Sequence, residues 1–133
     1  MKRLVPLLLA ALIACDGSDP TLARLAKSVD GTWILQSVDA SPLPAPDSTG
    51  TEILGSSLVA GDGAFTLTSV VRAPGSGTAP ETLVESGGVY CGHVGCRPQL
   101  LVVHDTNVNF DALVDGATLT LTGAHGVLTF HRQ

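Results

Sequence analysis

The sequence predicts an all-β domain, a small antiparallel eight-stranded up-and-down barrel, preceded by a leader and a short tether. Two observations carry this expectation. From residue 31 onward the chain runs in short stretches alternating apolar and polar side chains, the period of a strand with one wet face. Between those stretches stand clusters of Gly, Pro, Asn and Asp, which break strands and make turns. Consecutive strands on short links favour an up-and-down barrel, because closure removes the open edges of a flat sheet.

The first strand is expected over Gly31 to Val38, with Trp33, Leu35 and Ser37 on one face. Ser41-Pro42-Leu43-Pro44-Ala45-Pro46 is expected to be a crossing loop, since proline cannot donate to a ladder. Ile53 to Ala60 then turns through Gly61-Asp62-Gly63 into Ala64 to Arg72, where Phe65, Leu67, Ser69 and Val71 share a face. After the Gly- and Pro-rich loop of residues 73–80, Thr82 to Tyr90 makes a fourth strand and Gln99 to His104 a fifth. Asn107 to Val114 follows, its Val108, Phe110 and Ala112 alternating with polar neighbours. Asp115-Gly116 is a strong hairpin signal leading into Ala117 to Thr122, and Val127 to Arg132 closes the set with Leu128 and Phe130 inward.

Composition narrows the functional classes. The 133 residues have room for one domain, and with few aromatics the core must rest mainly on Leu, Val, Ile and Ala. The formal charge is −5, and loss of Lys2 and Arg3 with the leader takes it to −7. Nucleic acid is therefore not expected as a partner, since phosphates need a basic face. Electrostatic docking on anionic lipid is disfavoured for the same reason.

The leader has its own chemistry. Lys2 and Arg3 precede an apolar run from Leu4 to Ala14, 11 residues long, against the roughly 20 needed to span a bilayer as a helix. It has the dimensions of a signal-peptide core. It ends in Leu12-Ile13-Ala14-Cys15, which resembles the lipobox of bacterial lipoproteins. The resemblance implies a signal peptide over residues 1–14, cleavage before Cys15, and a lipidated Cys15 whose acyl chains, palmitate among them, hold the protein on a membrane outside the cytoplasm. Residues 15–30 would be the tether, with at most two helical turns in Thr21 to Lys27, and residues 31–133 the barrel. Which membrane of the envelope carries it is left open.

The two ends of the barrel region carry a second likeness. Gly31-Thr32-Trp33 with Leu35 and Pro42-Leu43-Pro44, and the closing Asp115-Gly116-Ala117-Thr118-Leu119-Thr120-Leu121 with Phe130-His131-Arg132, resemble the bacterial lipocalin-like family. The resemblance implies a lipocalin-like barrel in which the Arg132 guanidinium lies over the Trp33 indole and closes the base. A cation–π contact of that kind contributes about 0.5–2 kcal/mol. The distinctive motifs lie only at the two ends, and the barrel is shorter than typical members.

Inside the barrel region the most specific feature is Cys91-Gly92-His93-Val94-Gly95-Cys96. In an oxidising compartment Cys91 and Cys96 are expected to form a disulfide, constraining the unfolded chain by about 2 kcal/mol. The competing reading is a metal site of Cys91, His93 and Cys96, with His104. It lacks the matching second half that structural zinc sites show, so no metal and no cofactor is expected. His104, His125 and His131 are read as exposed barrel residues, and Glu81 and Glu85 as one wet strand face. No nucleophile motif accompanies Ser56, Ser57, Asp62 or Asp115, so no catalytic residues are assigned and the chain is not expected to be an enzyme.

The resulting expectation is a non-catalytic envelope lipoprotein. Two uses of its barrel stay open: binding a small apolar ligand in the interior, or serving with a filled core as a protein-interaction or envelope-structural module. The ligand-contacting residues and the protein partners are not identifiable from the sequence.

Overall fold

A computed structural model describes residues 20–75, 77–94, 97–104 and 107–133, and of residues 94, 97, 98, 104 and 107–109 the backbone alone. Its elements are α1 (Pro20–Ser28), β1 (Gly31–Val38), β2 (Ser41–Pro42), β3 (Ala45–Pro46), β4 (Glu52–Gly61) and β5 (Ala64–Arg72). Then follow β6 (Glu81–Val94), β7 (Arg97–His104), β8 (Asn107–Asp115), β9 (Thr118–Gly123) and β10 (Gly126–Arg132). The expected leader over residues 1–14, Cys15 and Cys96 lie outside the described residues.

The chain folds as a closed antiparallel eight-stranded barrel. Around the ring, β1 neighbours β10, and β9, β8, β7, β6, β5 and β4 follow in turn. Pairing of β1 with β4, from Gly31 opposite Ala60 to Ile34 opposite Ser57, completes the circle. All eight strands expected from the alternation are present. The fourth is longer than expected: β6 gives its first half to β5 and its second half to β7.

The Pro-rich passage is not a plain crossing loop. Ser41-Pro42 pairs with the end of β1, and Ala45-Pro46 pairs with the start of β4. Each of these two-residue strands has one neighbour only, so the missing proline N–H falls on an open edge where no partner waits for it.

Two bulges decide which side chains reach the interior. Between Leu35 and Ser37 the register against β10 slips, so the inward set of β1 is Trp33, Leu35 and then Val38. Between Ile53 and Gly55 the same happens on β4, and the inward set passes from Ile53 to Ser56, Leu58 and Ala60. Trp33, Leu58, Leu119, Leu121 and Phe130 are fully buried, filling the barrel from its base to its middle.

Residues 20–30, expected as tether, are part of the folded domain. The nine residues of α1 are too few to stand alone as a helix. They hold because Leu25 packs against the core and because Val29, 1% exposed, enters the base of the barrel behind it. This end also carries the β4–β5 and β8–β9 turns. At the opposite end lie the segment linking β1 to β4 and the β9–β10 turn. Among the described residues no helix is long and apolar enough to cross a membrane.

Candidate ligand cavity at the open end

The end of the barrel away from α1 contains a cavity of about 110 Å³. Its apolar wall is Ile53 of β4, Leu67 and Val71 of β5, Leu83 of β6, Phe110 of β8 and Leu128 of β10. Its polar groups are Asp47, Thr49 and Thr51 from the loop before β4, Ser69, Glu85, and His125 from the β9–β10 turn. The inward faces of five strands thus supply a greasy interior, and two loops supply a wet rim. That division follows from the barrel, since loops at a strand end cannot bury their backbone and keep polar side chains.

Asp47 organises the rim. Its Oδ1 accepts from the Thr49 amide at 2.8 Å, the Thr49 hydroxyl at 2.6 Å and the Thr51 amide at 3.1 Å. Its Oδ2 lies 3.0 Å from Nδ1 of His125, 78 residues away in sequence. The Asp47 side chain is 6% exposed and that of His125 47%, so the acid is enclosed and the imidazole faces solvent. Burial works against the carboxylate charge, but the hydrogen bonds from Thr49, His125 and Thr51 outweigh it. The carboxyl is held below its ordinary value of 3.8.

Further contacts fasten the β9–β10 turn to the β1–β2 turn and to the loop before β4. Asp39 and Ala40, both at positive φ (47° and 66°), turn β1 back into β2. The Asp39 carboxylate accepts from the Val127 amide at 2.8 Å, and its own amide donates to the Val127 carbonyl at 2.8 Å. Ser48 donates through its hydroxyl to the Ala124 carbonyl. Gly126 sits where this approach leaves no room: a Cβ there would lie 2.7 Å from the Asp39 carboxylate oxygens. One side of the cavity mouth is therefore fixed by hydrogen bonds between loops distant in sequence.

The sequence-predicted residues distribute as follows. Trp33 and Arg132 are brought together at the base, with the guanidinium carbon 4.2 Å from the indole centroid. Cys91 is a free, half-buried thiol on β6 opposite Leu100, and burial pushes it above its ordinary value. Its expected disulfide partner Cys96, and the side chain of His104, lie outside the described residues. His93 is on β6 opposite Pro98. Among the described residues no three His, Cys, Asp or Glu side chains are grouped to hold a metal ion. His131 is exposed on β10.

One expectation is extended and one corrected. His125 is exposed, as expected, and it also bonds Asp47 and stands at the cavity, its ring centroid 6.4 Å from that of Phe110. Glu81 and Glu85 do share a strand face, but it is the inner one. Glu85 pairs with Leu67 and lines the cavity, because Leu67 belongs to the buried face of β5. The residues 81–86 hid this, since Leu83 and Val84 place an apolar side chain on either face.

Comparison of the chain with protein-family models, with curated proteins and with solved structures finds no match.

Proposed function

We propose that this chain is a non-catalytic bacterial envelope lipoprotein of lipocalin-like type, anchored by lipid on Cys15, whose barrel receives a small apolar ligand at its open end. The observation that carries the ligand reading is the cavity of about 110 Å³, walled by Ile53, Leu67, Val71, Leu83, Phe110 and Leu128. An engineered, wholly apolar cavity of about 150 Å³ binds benzene. The volume here therefore suits one small ring, a short branched chain, or the tip of a longer molecule. Membership of the lipocalin-like family is supported by Gly31-x-Trp33 opening the first long strand and by Arg132 lying over that indole. The anchor is supported by the lipobox-like Leu12-Ile13-Ala14-Cys15 and the short apolar run before it. Placement in an oxidising envelope makes a Cys91–Cys96 disulfide part of the same proposal.

A second reading is favoured by a different observation: the lower and middle interior is full, with Trp33, Leu58, Leu119, Leu121 and Phe130 at 0% exposure. In that reading the barrel is a rigid interaction or structural module and its cavity is incidental.

Native mass spectrometry of the mature chain released from the envelope separates the two. A discrete added mass that disappears on denaturation supports the carrier. A native mass equal to the denatured mass supports the filled module. A precursor with Cys15→Ser that is still processed and still membrane-bound overturns the anchor.

A further inference from the structure

The charge around the cavity is one-sided. Among the described residues none that lines it is Lys or Arg, whereas two are acids, Asp47 and Glu85. The two acids differ in their surroundings. Asp47 is satisfied by Thr49, Thr51 and His125. The Glu85 carboxylate, half-buried on the inward face of β6, has no hydrogen-bond or ion-pair partner among the described residues. Among the described residues His125 is the one imidazole lining the cavity, and its Nδ1 is already engaged by Asp47. Glu85 thus lines the cavity wall beside Leu67 and Leu83 with acceptor oxygens that no protein donor occupies, and a ligand that brings a positive charge is paired there.

The net charge of the chain works in the same direction at longer range. At −5 it draws cations towards the mouth and repels carboxylates, including those of fatty acids. We propose that the cavity is selective for a small protonated amine bearing an apolar group of about one ring's bulk. The ammonium lies on Glu85, and the apolar group lies against Ile53, Val71, Phe110 and Leu128. This rests on the reading of the open-end cavity as a ligand site and adds the chemical class of the ligand.

The test uses the mature chain in lipid nanodiscs, titrated with benzylamine, benzyl alcohol and benzoate and followed by NMR, with empty nanodiscs as the blank. These probes share a ring and differ in charge. Benzylamine is expected to bind at least about tenfold more tightly than benzyl alcohol, the scale of one charge-assisted hydrogen bond, and benzoate most weakly. Glu85→Gln should bring benzylamine down to the level of benzyl alcohol and leave the alcohol unchanged. Equal or tighter binding of benzoate, or a benzylamine preference that survives Glu85→Gln, overturns the proposal while leaving the carrier standing. Failure of all three probes to bind overturns this inference, and a native mass equal to the denatured mass removes the carrier with it.

Discussion

Arg132 and Trp33 lock the base of the barrel jointly. The guanidinium lies 4.2 Å from the indole centroid and also donates to the Asp30 carbonyl at 2.5 Å and the Ser28 carbonyl at 2.7 Å. The indole Nε1–H in turn donates to the Val29 carbonyl at 2.8 Å. Three successive carbonyls at and beyond the C-terminus of α1, which intrahelical bonds leave open, are thereby satisfied by two side chains of the barrel. A positive group at this position is also favoured by the helix dipole.

Arg132→Ala is expected to lower stability by about 2–3 kcal/mol, combining the loss of the cation–π contact with that of two charge-assisted hydrogen bonds. Arg132→Lys should fall between, because an ammonium keeps the charge but not the planar fork that reaches both carbonyls. Urea unfolding followed by Trp33 emission measures this directly, as Trp33 is the single tryptophan. Values within about 0.5 kcal/mol of the wild type would show that the base is held by packing alone.

Gly31 owes its place to the same arginine. Its φ is +124°, outside the range L side chains adopt, and a Cβ there would lie 2.9 Å from Nη1 of Arg132. Gly31→Ala is therefore expected to cost about 1–3 kcal/mol. In the Arg132→Ala background the steric share disappears and only the backbone share remains. The double mutant should then be more stable than the sum of the two losses, by about 0.5 kcal/mol or more. Strict additivity would assign the whole cost to backbone conformation.

Asp47 gives the domain an acid sensitivity of predictable sign. Its carboxyl is held below the ordinary value of 3.8. The stabilisation is thus present above that value and is lost as pH falls through 3.8 towards the folded-state value. The difference in unfolding free energy between wild type and Asp47→Asn should be constant near neutrality and shrink in that acid window. At neutral pH Asp47→Ala is expected to cost about 1–3 kcal/mol, the scale of losing hydrogen bonds to an enclosed charge. A difference that does not change with pH would mean that the anion is not what the loop recognises.

Much of the architecture is legible because alternation survives wherever one face is wet. Phe65, Leu67, Ser69 and Val71 read as one face of β5, and so they are. Legibility fails where a bulge changes which side chains point inward. The inward residue after Leu35 is Val38, and after Ile53 it is Ser56, because the register slips on β1 and β4. The cavity was less legible still. Asp47 and His125 meet only because the ring closes, and no local pattern announces a contact across 78 residues. Residues 20–30 misled for a related reason: a helix this short is read as a tether until Arg132 and Trp33 are seen to bind its end.

The β6–β7 hairpin makes the disulfide a test of register. Cys91 is opposite Leu100, and three rungs further on Val94 is opposite Arg97, the covalent neighbour of Cys96. Three residues of strand span about 10 Å, while bridged cysteines need Cα atoms within about 7 Å. Oxidation of Cys91 to Cys96 therefore requires some of these rungs to open. Chain directed to an oxidising compartment is expected to show a denatured mass two hydrogens lower than its reduced form, with faster amide exchange at Gly92 and His93 than in the reduced protein. The reduced thiol, raised by burial, should react slowly with alkylating reagents at neutral pH. Quantitative alkylation of Cys91 in protein taken straight from the envelope would show that the hairpin keeps its ladder and the pair stays unbridged.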